Sequence, residues 1–264
     1  MKISAKGFIF LLMLLAFLGN HLEASFFHNG EQLEFDMRDY KKYHIHGLDA
    51  DLYLDDISDT IKDFLRKGVY WEGVIGVVIA KCAKEGSIAV DIGAHIGLHT
   101  IAMSRKVGPH GAVIAFEPQK KMFAEQLMNL KLNNCSNVIS IRKAVGETFK
   151  TIEMAKRNSL NEGGTAIGNG GDKAEMIPLD SLSLHNVSLI KIDVERYEYF
   201  VFEGARETIR KNRPIIIFEV MGECDYETGS QEIKEQFCRV INFVKSFRYD
   251  VRQIAGNDFI AFPL

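Results

Sequence analysis

Apolar residues along this chain recur with spacings that change from segment to segment, and the changes mark its elements. Ile57, Ile61, Phe64 and Leu65 recur at helical spacing and predict a helix beginning near Ser58. A second helix is predicted over Trp71 to Ala83. Short apolar runs then alternate with amphipathic stretches. Ile88–Ile92, Ala112–Phe116, Val138–Ile141, Leu189–Ile192 and Pro214–Phe218 read as buried strands. Helices are predicted over Leu98–Lys106, 119–132, Tyr199–Lys211 and Gln231–Ser246. Thr151–Pro178 alternates in places and contains Gly163-Gly164 and Gly168–Gly171, the pattern of a hairpin with a glycine-rich loop. Asp250–Ile254 and Phe259–Phe262, joined by Gly256-Asn257, read as a second, antiparallel hairpin. Residues 26–60 are mixed and polar, with an acidic run at Asp49–Asp59.

Strands alternating with helices predict an α/β fold: a mostly parallel sheet covered by helices on both faces. The C-terminal hairpin adds an antiparallel strand to it. A length of 264 residues suits one such domain. The net charge of −3 gives no electrostatic reason to expect nucleic acid as partner.

The N-terminus has a texture of its own. Lys2 and Lys6 precede an almost wholly apolar stretch, Gly7–Gly19, and a polar stretch ends at Ala24. This is the layout of a secretory signal peptide over residues 1–24, cleaved after Ala24, although Leu22 departs from the usual small residue of a cleavage site. The apolar stretch is shorter than the roughly 20 residues that cross a bilayer. It predicts export, to the periplasm or the medium. Left uncleaved, it is an anchor and brings the chain into contact with a membrane; if it is no signal, the chain is cytoplasmic. Residues 25–86 read as a helical and irregular cover, and 87–264 as the main domain. Cys82, Cys135, Cys224 and Cys238 match no metal-binding spacing. Cys82 and Cys238 fall in apolar helical patterns and read as small core residues.

The sharpest motif is Val90-Asp91-Ile92-Gly93-Ala94-His95-Ile96-Gly97, between the first sheet strand and its helix. Ligands of open α/β sheets sit at the carboxyl ends of the strands, and glycine there lets the backbone come close. An acid at the strand end would repel a pyrophosphate. It suits S-adenosylmethionine (AdoMet), which carries a sulfonium and an ammonium and no phosphate. The alternative is that Asp91 caps the turn and Gly93 and Gly97 serve packing. Glu117, in Ala115-Phe116-Glu117-Pro118, ends the next strand and is placed to accept hydrogen bonds from ribose hydroxyls. Asp193 and Glu195, in Leu189-Ile190-Lys191-Ile192-Asp193-Val194-Glu195, end the fourth strand. A carboxylate there would orient an acceptor hydroxyl or act as general base, with Asp193 the first choice. His95 and His99 form an i, i+4 pair, but no acid set completes a metal site, and no metal is expected.

Taken in order, these motifs resemble the FkbM-type AdoMet-dependent methyltransferases. The resemblance runs from about Tyr70 to Val220 and is strongest in V-D-I-G-A-H-I-G-L-H-T, A-F-E-P-Q, N-L-K-L-N-N and L-I-K-I-D-V-E-R-Y-E. It implies a Rossmann-like, seven-stranded class I methyltransferase fold, AdoMet as cofactor, and methylation of oxygen on a small molecule or glycan. It implies cofactor roles for Asp91, Gly93, Ala94, His95, Gly97 and Glu117, and catalytic roles in the cleft for Asp193 and Glu195. Val69-Tyr70-Trp71-Glu72 is similar to the family's segment before the first strand and makes Glu72 a candidate cleft residue. Two positions depart from the family: Arg196 replaces a usual glycine, and His95 replaces a usual asparagine. Arg196 is expected to narrow the site or to supply a cation for an acidic substrate, and His95 to take over a contact to the cofactor. Two other classes compete with this reading. One is an exported binding protein that keeps the fold without turnover. The other is an NAD-dependent oxidoreductase, against which the missing G-x-G-x-x-G argues.

Overall fold

The computed structural model describes residues 27–28, 31–32, 39–158, 160–221 and 231–264. The expected signal peptide and Cys224 lie outside the described residues. Among the described residues, no helix is long and apolar enough to cross a membrane.

Two strands, β1 (Lys41–Ile45) and β2 (Ala50–Leu54), form an antiparallel hairpin ahead of the main sheet. The sequence pattern does not predict these strands. The hairpin buries Ile45, Ala50, Leu52 and Leu54 against Ile96, Leu98 and Met122, while Asp51 and Tyr53 alternate outward. Helix α1 (Thr60–Arg66) starts where Asp59 accepts the Lys62 N–H at 2.8 Å. Leu65 and Ile61 face the core as the apolar spacing marks, while Phe64 stays exposed and Lys62 is buried instead. Helix α2 (Gly73–Cys82) follows.

The sheet then builds as expected: β3 (Ile88–Ile92), α3 (Leu98–Val107), β4 (Ala112–Phe116), α4 (Lys120–Leu132) and β5 (Val138–Ile141). A small sheet interrupts the alternation. In it β6 (Lys143–Val145) pairs parallel with β8 (Gly170–Ile177), which pairs antiparallel with β7 (Lys150–Ala155). The main sheet resumes with β9 (Val187–Ile192), α5 (Glu198–Glu203), α6 (Arg206–Asn212), β10 (Ile215–Glu219), α7 (Gln231–Ser246), β11 (Tyr249–Ala255) and β12 (Asp258–Pro263).

The seven-stranded order is β11-β12-β10-β9-β3-β4-β5. Strands β10, β9, β3, β4 and β5 are mutually parallel. Strand β12 inserts antiparallel between β10 and β11, as the C-terminal hairpin predicts. The order reverses between β3 and β9, so the crevice at their carboxyl ends is the place for a ligand. The stretch expected as one helix, 199–211, is two. The break falls at Gly204, where a Cβ would lie 1.9 Å from the Gly146 carbonyl oxygen, and at Ala205, whose φ of −116° caps the second helix. Cys238 is exposed on α7 and is no core residue; Cys82 is half-buried.

Candidate active site

The carboxyl ends of β3, β4, β9 and β10 converge on a cavity of about 280 Å³. Its floor begins with Asp91, fully buried on β3. The hydroxyl of Thr100 donates to Asp91 Oδ2 at 2.6 Å, and Oδ1 is buried with no protein partner. Gly93 and Ala94 follow in the cavity wall, their N–H groups donating to the Phe116 carbonyl at 3.0 and 2.9 Å. Gly93 has φ of 84°, and a Cβ on it would lie 1.7 Å from the Asp193 carbonyl oxygen. Only glycine lets the β3 loop lie flush against the end of β9. Gly97 does something else: at φ of 90° it caps α3 and packs on Gln126, and it does not line the cavity.

Glu117 ends β4 almost fully buried. One carboxylate oxygen accepts the His95 N–H and the other the Gln119 N–H, each at 2.9 Å. Burial pushes its pKa up to about 7 against the pull of those two donors, and the Asp91 and Asp193 charges add to the rise. The His95 ring is drawn down to about 4 by burial and by Lys62, so it is neutral, and its Nε2 has no protein partner.

The second wall is acidic. Asp193, Glu195 and Glu219 bring carboxylate oxygens within 4.8 Å of one another. Burial disfavours the Asp193 charge, but the Lys191 ammonium at 2.8 Å outweighs it and holds the carboxyl below its ordinary range. Burial and the Asp193 charge push Glu219 up to about 9, so near neutrality it keeps a proton that it shares with Asp193. Burial, then the Asp193 charge, pushes Glu195 up to about 7. Glu195 (φ 53°) and Arg196 (φ 72°) both sit in the left-handed region. This explains the expected glycine at position 196. The Arg196 side chain is exposed and does not line the cavity, so it does not narrow the site, although its charge reaches Glu195.

The third wall comes from the N-terminal cover. Glu72, left-handed at φ 51°, caps α2 and turns its carboxylate to His99, with Oε2 3.2 Å from Nε2. His99 Nδ1 lies 3.3 Å from the Tyr70 hydroxyl, and Trp71 Nε1 donates to Glu72 Oε1 at 3.0 Å. The structure thus brings Asp91, Gly93, Ala94, His95, Glu117, Asp193, Glu195 and Glu72 together and leaves Gly97 and Arg196 outside. The sequence reading misses Thr100, Lys191, Glu219 and Trp71. Two of these left a signal. Lys191 is a charge inside an apolar run and needs an acid partner. Glu219 ends its strand as Glu117 and Asp193 end theirs.

The family model of the methyltransferase FkbM domain matches residues 91–251, more than half of the chain. Among solved structures, a protein from Corynebacterium glutamicum superposes with a TM-score of 0.50 at 10% identity, covering 77% of this chain and 87% of that one. The methyltransferase FkbM from Methylobacillus flagellatus KT gives 0.48 at 15% identity, covering 71% of this chain. The match spans only 50% of that longer protein. Aeropyrum pernix fibrillarin, solved with natively bound S-adenosyl-L-methionine, gives 0.45 at 13% identity, covering 87% and 84% of the two chains. No curated protein matches the sequence. With the family motif spread over β3, β4 and β9 as this sheet requires, the chain belongs to the FkbM methyltransferase family.

Proposed function

We propose that this cavity transfers the methyl group of AdoMet to a hydroxyl oxygen on a small molecule or glycan. The observation that carries the reading is the strand-end acid set, with the buried Asp91 Oδ1 left without a protein partner. The donor set fits the cofactor. Asp91 and the Gly93-Ala94 turn suit its methionine end, and Glu117 suits the ribose hydroxyls. A phosphate-bearing dinucleotide would face carboxylates at the strand ends instead of cations.

AdoMet supplies an electrophilic methyl on its sulfonium and leaves as S-adenosylhomocysteine. The protein's task is to hold the acceptor oxygen in line and to take its proton. Glu195 is the better base. Its pKa of about 7 is matched to neutral operation, whereas Asp193 is tied to Lys191 and Glu219. Asp193 orients the acceptor hydroxyl as it approaches, and Glu195 receives the proton. This reverses the order of preference that the sequence alone supports. A wall of carboxylates also favours acceptors rich in hydroxyl or amine donors over anionic ones.

Calorimetry on the full chain tests the cofactor reading. AdoMet and S-adenosylhomocysteine should bind at micromolar affinity or better, and NAD should not bind. Glu117→Ala should weaken AdoMet by about 1.5–3 kcal/mol, the range for hydrogen bonds to a charged group, with the fold intact. Comparable binding of NAD, or none of AdoMet, would refute the reading.

A further inference from the structure

The loop between β7 and β8 turns over the cavity. Asn161, Gly163, Gly164 and Thr165 line it. Glu162, in their midst, is absent from the wall and fully buried behind it. Its carboxylate accepts from Lys62 Nζ and Lys121 Nζ at 2.7 Å each and pairs with Arg157 Nε at 2.9 Å. Its N–H donates to Asp59, the N-cap of α1, at 2.7 Å. Its carbonyl accepts from the Gln119 side-chain amide at 3.3 Å and the Thr165 hydroxyl at 2.9 Å. One residue therefore ties the loop to α1, to α4 and to the turn after β4.

The neighbours of Glu162 offer little apolar anchorage. Leu160 is 64% exposed, and the two residues that follow Glu162 are glycines. Ordering such a segment costs backbone entropy that here is offset mainly by polar bonds. On the cavity side the loop rests on the cofactor turn: a Cβ on Gly163 would lie 3.1 Å from Ile61 Cδ1 and 3.4 Å from His95 Nε2. Gln119 closes the circuit. Its backbone N–H donates to Glu117, and its side chain donates to the Glu162 carbonyl.

We propose that Glu162 is a positioning residue for the cofactor site, pinning the glycine loop as a roof over His95 and Glu117. The inference rests on the AdoMet reading of the cavity. The roof limits escape of the bound cofactor, and the buried charge holds the roof down.

The test is Glu162→Gln in the full chain, with S-adenosylhomocysteine as the probe. Affinity is read by calorimetry. Dissociation is followed by the fluorescence of Trp71, the only tryptophan in the chain, which lies in the cavity wall. The expected result is at least tenfold weaker binding, carried by faster dissociation. Amide exchange should accelerate at residues 160–166 and stay unchanged in β3 and β4. A folded variant with wild-type affinity and dissociation rate overturns the proposal and leaves Glu162 a stabilising residue only. Should Glu162→Gln fail to fold, Gln119→Met removes the link to the Glu162 carbonyl without touching a buried charge. It should weaken binding several-fold, and wild-type affinity there overturns the proposal equally. Wild-type protein that binds no S-adenosylhomocysteine overturns the cofactor reading itself; wild-type binding with unaltered variants overturns only the pin.

Discussion

Among the described residues, two groups of three acids crowd their carboxylate oxygens within 4.8 Å, and the groups behave in opposite ways. Asp55, Glu125 and Glu162 surround Lys62, which is fully buried and lies 2.7 to 3.0 Å from each of them. Lys121 pairs with all three as well. Burial works against the charges on Asp55 and Glu162, yet these cations hold both below the ordinary carboxylate range. Asp193, Glu195 and Glu219 have a single close ion pair, between Lys191 and Asp193. Asp193 alone is pulled down; Glu195 and Glu219 are pushed up to about 7 and 9. A cluster matched by cations is complete without a ligand. A cluster short of positive charge keeps protons near neutrality and is where proton transfer can be done.

The largest expected effect breaks the matched cluster. Lys62→Met leaves buried carboxylates without their central cation and should cost about 3–5 kcal/mol of stability, the range for removing one partner of a buried pair. Urea unfolding measures it. A loss below 1 kcal/mol would mean that Lys121 and Arg157 balance the acids unaided.

The next effect separates the clusters by pH. Glu195 has a folded pKa of about 7, above the unfolded value near 4.5. The folded state therefore binds more protons than the unfolded state between those values, and this group lowers stability as pH rises through that window. Asp55 and Glu162 are lowered, so their contribution is present above the unfolded value and is lost as pH falls below it. Glu195→Gln should then raise the melting temperature at pH 8 and leave it nearly unchanged at pH 4. Carboxyl carbon NMR should show one fewer glutamate titrating near pH 7 in the variant. If the same glutamates titrate near 7 with and without Glu195, its role as base is lost.

The smallest effect concerns the strain beneath the second cluster. Arg196 adopts φ of 72°, a region that disfavours any residue but glycine. Arg196→Gly should stabilise by about 0.5–1 kcal/mol, after the entropic cost of glycine in the unfolded chain is discounted. The urea midpoint should move up without a change in slope. A downward shift would show that the exposed arginine makes a compensating contact.

Much of this was readable in one dimension, for physical reasons. Strands β3, β4 and β9 are buried on both faces, so their apolar runs stand out and end where a polar residue meets the crevice. That is why Asp91, Glu117, Asp193 and Glu195 could be named from the chain, and why the antiparallel β12 followed from a short hairpin. The β1–β2 hairpin was hidden because only one face of it is buried, and five residues per strand gave too short an alternation among charges. The burial of Lys62 was hidden for a related reason: a lysine on a short helix reads as solvent-facing until its partners are known. Glu162 is more than thirty residues from Lys121 and one hundred from Lys62, and no local pattern connects them.

The sequence by itself determined the sheet, the glycine turn after β3 and the acids at the strand ends, because period, glycine and strand termini are local properties of the chain. Only the tertiary structure decided which of those acids is neutralised and which keeps a proton. That depends on distances between Lys191, Asp193, Glu195 and Glu219 set by the packing of β9 against β10, and on burial that no single segment possesses.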